Sequence, residues 1–221
     1  MEFKCKVVLI GETGVGKTCI INRFINNKFY PDTLSSLNAQ FISKEMKFPQ
    51  GQTVILELWD TAGQEKYRSI AKIFYKDARA VIMVYDITDE NSFNQLKKYW
   101  IEQIKENGNK NVILAIAANK SDLIGEIKVK NEEGEKFAKE IGAIFIPTSA
   151  KNAAGIQILF ESIARKILDF IPSEQIKKGD YEKENDKENE KEKGEEGKLT
   201  FNKSITLTKH DIIENKKKKC C

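Results

Sequence analysis

Eight consecutive residues, Gly11-Glu12-Thr13-Gly14-Val15-Gly16-Lys17-Thr18, carry the densest chemistry in the chain. They follow the apolar run Val7-Val8-Leu9-Ile10 and precede a helix-like run, Cys19-Ile20-Ile21-Asn22-Arg23-Phe24-Ile25. Strand, GxxxxGK[ST] loop and helix together make a phosphate cradle. A nucleoside triphosphate presents crowded oxygens, and Gly11, Gly14 and Gly16 let backbone N–H groups approach them without a Cβ in the way. The helix N-terminus adds its positive dipole end. Lys17 supplies a point charge between the β- and γ-phosphates, and the Thr18 hydroxyl is a hard oxygen ligand for Mg²⁺. The plain alternative is a Gly-rich turn before a helix with a solvated lysine; the preceding strand and the eight-position spacing weigh against it.

Three further loops complete the chemistry. Trp59-Asp60-Thr61-Ala62-Gly63-Gln64-Glu65 ends a β-rich run. There Asp60 can hold Mg²⁺ through a water, the Gly63 amide can approach the γ-phosphate, and Gln64 can orient an attacking water. A bare Asp-x-x-Gly is often only a turn, but this one follows the phosphate loop at a fitting distance. Asn119-Lys120-Ser121-Asp122 follows the apolar run 112–118. The Asp122 carboxylate accepts two hydrogen bonds and donates none, matching guanine N1–H and the 2-amino group, a pair adenine lacks. Thr148-Ser149-Ala150-Lys151 can bring the Ala150 N–H to guanine O6. Alone, each tetrapeptide also reads as a capping loop or helix start.

These loops need a scaffold that brings strand ends together. Short apolar runs alternate with helical periodicity, with strands expected near 3–10, 39–48, 53–59, 79–86, 112–118 and 143–147. Helices are expected near 17–27, 66–76, 91–107, 131–141 and 154–170. The second and third strands are separated only by Pro49-Gln50-Gly51-Gln52, too short for a crossover, so that pair is expected to be antiparallel. The reading is an α/β P-loop NTPase fold: a six-stranded, mostly parallel sheet with one antiparallel strand and helices on both faces. The motifs fall at the ends of strands 1, 3, 5 and 6, where such sheets bind ligands.

At 221 residues the chain has room for one medium domain and a tail. The expected division is a domain over 1–171 and a low-complexity Glu/Lys/Asn tail over 172–221, too poor in apolar surface to offset chain entropy. Net charge is +4, from 37 basic and 33 acidic residues, which argues for no nucleic-acid surface. The four cysteines stand at 5, 19, 220 and 221 without metal-ligand spacing, fitting a reducing compartment. His210 is the one histidine, so histidine-based triads are excluded. No charged-then-apolar leader and no run of about 18 apolar residues appears. The expectation is a chain that is neither secreted nor membrane-spanning by helix. Its end, Lys216-Lys217-Lys218-Lys219-Cys220-Cys221, reads either as a solvated basic terminus or as a lipid anchor backed by charge.

With these residues in place, Phe3 to about Phe170 resembles a small GTPase of the Ras superfamily, and several stretches resemble the Rab family. Trp59 to Arg68 resembles the Rab second switch, Met83-Val84-Tyr85-Asp86-Ile87-Thr88 the following Rab strand, and the twin terminal cysteines a Rab tail. The resemblance implies a switch that binds GTP or GDP with Mg²⁺, hydrolyses GTP and recruits effectors in vesicle or endosomal trafficking. The implied nucleotide site is Gly11, Thr13, Gly14, Val15, Gly16, Lys17, Thr18, Cys19, Phe29, Ser36, Gly63, Asn119, Lys120, Asp122, Ser149, Ala150 and Lys151. Thr18, Ser36 and Asp60 would hold the metal, Gln64 would be catalytic, and Phe41, Trp59 and Phe74 would form an aromatic trio read by effectors. Cys220 and Cys221 would carry geranylgeranyl groups, leaving the tail as a tether on the cytoplasmic face of intracellular membranes, endosomal ones favoured, with a cytosolic extracted form. Implied partners are effectors, an exchange factor, a GTPase-activating protein, a GDP-dissociation inhibitor and the prenylation machinery; the chain itself is expected to be a monomer.

Two departures stand out. The first-switch run is Ser36-Leu37-Asn38 where Rabs usually carry Thr-Ile-Gly, and it resembles an endocytic Rab group, close to the subfamily numbered twenty-one. Thr13 places a side chain near the γ-phosphate, which would crowd the water. They leave open a rival, a GTP-locked scaffold with negligible turnover; an ATP-using P-loop protein is a second, opposed by Asp122.

Overall fold

The computed structural model describes residues 2–31, 40–61 and 75–170. Strands β1 (Glu2–Ile10), β2 (Gln40–Lys47), β3 (Thr53–Asp60), β4 (Ala80–Asp86), β5 (Ile113–Asn119) and β6 (Ile144–Pro147) form one sheet in the order β2-β3-β1-β4-β5-β6. Only β2 runs antiparallel, paired with β3 from Gln40↔Asp60 to Lys47↔Thr53. The hairpin turns through a short 3₁₀ segment, Pro49–Gly51. The expected topology therefore holds.

Strand alternation explains why both faces are covered. Val7 and Leu9 of β1 belong to one buried cluster, with Ile20, Ile21 and Phe24 of α1 (Lys17–Asn26) and Leu159, Phe160 and Ile163 further along the chain. Val8 and Ile10 point the other way, into a second cluster with Phe93, Leu96, Trp100, Ile101 and Ala138. Every residue of β4 is buried, as expected for a central strand covered on both sides. Burying each such large side chain contributes about 1.5–3 kcal/mol. Across the first face the Phe24 and Phe160 rings stack at 3.8 Å, tying the helix after the phosphate loop to the last helix.

The helices depart from expectation in two places. The single helix expected over 91–107 is α2 (Glu90–Gln95), a π-helical turn (Leu96–Trp100) and α3 (Ile101–Asn107). Trp100, which ends the wider turn, and Ile101, which follows it, are both buried. After α4 (Asn131–Ile141), the last helix, α5 (Ile156–Asp169), starts two residues later than the expected 154. Ala153 (φ 70°) and Gly155 (φ 69°) are left-handed, so the helix cannot begin before them. Of the helix expected over 66–76, residues 66–74 lie outside the described residues, and Tyr75 is helical. The tail, 172–221, also lies outside them. Among the described residues, no helix is long and apolar enough to cross a membrane.

Candidate functional site

The loops after β1, β5 and β6 open onto one cavity of about 420 Å³, with Phe29 and Pro31 beyond α1 and Thr61 after β3 also on its wall. Of the residues expected at the nucleotide, Thr13, Gly14, Gly16, Lys17, Thr18, Cys19, Phe29, Asn119, Lys120, Asp122, Ala150 and Lys151 line it. Gly11, Val15 and Ser149 lie behind the wall and are buried. Ser36, Gly63 and Gln64 fall outside the described residues.

Two glycines of the phosphate loop are forced by geometry. Gly11 has φ +142°, and a Cβ there would stand 2.2 Å from the Val84 carbonyl oxygen; Gly16 has φ +98°, and a Cβ would stand 2.3 Å from Asn119 Nδ2. Each combines a left-handed backbone with a neighbour where a side chain would begin. Lys17 opens α1 and folds back over the loop, its Nζ donating to the Gly11 carbonyl at 2.9 Å and to the Glu12 carbonyl at 2.8 Å. The residue is 5% exposed. Burial pushes its pKa from 10.5 down to about 8, while the carboxylates of Asp60 and Glu12 pull the other way.

Thr18 Oγ1 donates to Asp60 Oδ2 at 2.5 Å, joining the start of α1 to the end of β3. A hydroxyl and a carboxylate oxygen beside the phosphate loop are hard donors of the kind Mg²⁺ takes. Among the described residues no group of three or more His, Cys, Asp or Glu gathers to hold a metal. Mg²⁺ commonly takes one or two protein oxygens, and Thr18 and Asp60 supply two side by side. The residues present thus fit the ion.

At the other end of the cavity, Asn119 is 2% exposed and braces the loops. Its Nδ2 donates to the Val15 carbonyl at 2.8 Å, and its Oδ1 accepts from Thr148 Oγ1 at 3.3 Å. Ser149 Oγ donates to Asp122 Oδ1 at 2.5 Å, so Ser149 aims the carboxylate instead of lining the cavity. Lys151 Nζ stands 4.0 Å from the other oxygen of Asp122.

Four contributors escaped sequence reading. Asp86 pairs with Lys120 Nζ at 2.5 Å; its strand-end position opposite Asn119 in register was the available signal. Arg23 Nε and Nη2 donate to the Ala150 and Lys151 carbonyls at 2.8 and 2.7 Å. Trp100 Nε1 donates to Glu12 Oε1 at 3.1 Å, a contact for which the sequence gives no signal. Thr61 Oγ1 donates to the Leu9 carbonyl at 2.6 Å, tying the chain after β3 to β1. Of the aromatic trio, Phe41 and Trp59 are directly paired across β2 and β3, ring centroids 5.2 Å apart; Phe74 lies outside the described residues.

The Ras family model matches residues 6–169. The chain is 40% identical to Ras-related protein RABF2b of Arabidopsis thaliana over 78% of its own length and 86% of the relative's. It is 42% identical to mouse Ras-related protein Rab-31, over 79% and 88%, and 42% identical to human Ras-related protein Rab-22A, over 73% and 82%. A phosphate loop and a carboxylate-bearing base loop on this sheet define a P-loop GTPase, and the chain belongs to the Ras family, with Rab proteins as relatives. It is a small GTPase, a GTP-binding switch of membrane trafficking that hydrolyses GTP to GDP.

Proposed function

We propose that the cavity holds GTP or GDP with Mg²⁺, and that the assignment of roles follows the two ends just described. At the phosphate end the loop 11–18 wraps the phosphates, and the buried Lys17 ammonium sits between the β- and γ-groups. Thr18, Ser36 and Asp60 would hold Mg²⁺, directly or through water, and when bound the ion would supply positive charge against the charge that develops on the phosphates. Gly63 offers its N–H to the γ-phosphate, and Gln64 orients the water for in-line attack. At the base end Asp122 accepts from guanine N1–H and the 2-amino group, the Ala150 N–H meets O6, and Phe29 packs against the ring. The observation that carries this reading is the single cavity that joins Lys17 and Thr18 to Asp122 and Ala150.

Around that centre we infer an effector surface that includes Phe41, Trp59 and Phe74, and an activating protein that supplies the transition-state arginine. The tail from 172 tethers the domain to membrane through lipid on Cys220 and Cys221 and through the four lysines before them. Endosomal membranes are the inferred location. The support is the first-switch tract Ser36-Leu37-Asn38 and the similarity to Rab-22A and Rab-31. Nothing in the relatives favours a GTP-locked scaffold.

A single-turnover assay with GTP and Mg²⁺ tests the roles. Gln64→Leu is expected to bind GTP like the parent and hydrolyse it far more slowly, with and without an activating protein. Equal rates would remove Gln64 from the mechanism.

A further inference from the structure

Arg23, on the second turn of α1, does not itself line the cavity, yet its guanidinium holds wall residues on one side of the base end and the turn leading to Phe29 on the other. On one side Nε donates to the Ala150 carbonyl at 2.8 Å and Nη2 to the Lys151 carbonyl at 2.7 Å. On the other, Nη1 donates to the Asn27 carbonyl at 2.8 Å and to Asn27 Oδ1 at 3.1 Å. Asn27 is where α1 stops: its backbone is left-handed, φ 53°, and its N–H returns to the Arg23 carbonyl at 3.0 Å. Two residues on, Phe29 lines the cavity; opposite, so do Ala150 and Lys151.

Among the described residues all of the acceptors of Arg23 are neutral amide oxygens and it makes no ion pair. What the site uses is the planar fork, five N–H donors in fixed directions. A lysine ammonium is a compact point charge and cannot span the same acceptors at once. With two successive carbonyls tied to α1, the Ala150–Lys151 backbone is held in one orientation, and the Ala150 N–H with it.

We propose that Arg23 is a positioning residue for guanine recognition: by fixing the Ala150–Lys151 carbonyls and the Asn27 turn that leads to Phe29, it sets the Ala150 N–H against the 6-oxo group of the base. This rests on the guanine-site reading above. It predicts an effect confined to the oxygen that the Ala150 N–H reads. A merely structural strut would weaken all nucleotides alike.

The test measures affinities of GDP and 6-thio-GDP for the full chain by displacement of a fluorescent nucleotide, under reducing conditions. The analogue keeps N1–H and the 2-amino group and replaces the 6-oxo oxygen with sulfur, a poorer acceptor. The parent is expected to prefer GDP by about fivefold, the worth of one good hydrogen bond. In Arg23→Lys, which keeps charge and stem, GDP affinity is expected to fall about tenfold, while 6-thio-GDP falls so much less that the preference disappears. Arg23→Ala is expected to behave alike; if it fails to fold, Arg23→Lys carries the measurement. Equal losses for both nucleotides, or a lower melting temperature with unchanged preference, would overturn the positioning role. A parent without preference for GDP, and equally tolerant of ADP, would instead overturn the guanine-site reading beneath it.

Discussion

Lys120 Nζ lies 2.5 Å from Asp86 Oδ2, a lysine of the base loop held by a carboxylate at the end of the neighbouring strand. The Asp86 side chain is 8% exposed and that of Lys120 36%; the other Asp86 oxygen accepts from the Thr88 N–H and Oγ1, both at 2.8 Å. Lys120 itself is left-handed at φ 64°, an uncommon backbone for a residue with a side chain. The pair therefore anchors the side chain of a residue whose backbone takes this uncommon form.

Asp86→Asn keeps the shape and removes the charge. Solvent at Lys120 screens the pair, so its loss is expected to weaken nucleotide binding by about 1 kcal/mol, about fivefold. Release of a fluorescent GDP analogue reads this directly; an unchanged release rate would mean that Lys120 holds its place without Asp86.

On the proposed reading base choice rests on Asp122, whose carboxylate Ser149 holds. In Asp122→Asn one acceptor becomes a donor, which suits the 2-oxo group of xanthine and no longer suits the 2-amino group of guanine. Competition binding is expected to show XDP displacing the probe better than GDP. Retained guanine preference would place recognition elsewhere.

Lys17 predicts a pH dependence. In the nucleotide-free protein burial lowers its pKa to about 8, and phosphate favours the charged form, so binding takes up protons in the window that opens at about pH 8. Affinity is expected to fall as pH rises through that window. The sign for folding is opposite: there the unfolded chain binds more protons than the folded one, so stability of the nucleotide-free form rises with pH across the same window. Calorimetry at pH 9 in two buffers of different ionisation enthalpy counts the protons; no uptake would mean that Lys17 stays charged in the empty site.

The tail supplies a fourth expectation. Changing Cys220 and Cys221 to Ser is expected to move the protein to the soluble fraction with GTP binding intact, and neutralising Lys216 to Lys219 to have a smaller, salt-like effect. Fractionation with intact-mass analysis of the C-terminal peptide decides. Unmodified cysteines on sedimenting protein would point to a protein receptor.

What the sequence made legible was contiguous chemistry. Gly16, Lys17, Thr18 and Asp122 sit in short patterns, and the fold brings all four to the wall of one cavity; the hairpin of β2 and β3 follows from a linker too short to cross over. What it hid was contact between distant residues. Arg23 reaches Ala150 across 127 positions, and Trp100 reaches Glu12 across 88; no local periodicity reports either. The π-helical turn escaped because one extra residue leaves the apolar pattern of Leu96, Trp100, Ile101 and Ile104 nearly helical. The late start of α5 escaped because Ala153 gives no cue that its backbone is left-handed.

The Asn119 amide on the Val15 carbonyl, with Gly16 pressed against it, makes a strut between the two ends of the cavity. A guanine nucleotide is in this respect a two-headed ligand meeting two receptors already set at a fixed separation. Once one head is seated, the other is presented at an effective concentration on the order of millimolar or above. Guanosine or pyrophosphate alone forgoes that gain and binds weakly; joined, they hold. Conversely, a partner that loosens either head makes the whole nucleotide a one-handed ligand, and the second hand lets go soon after.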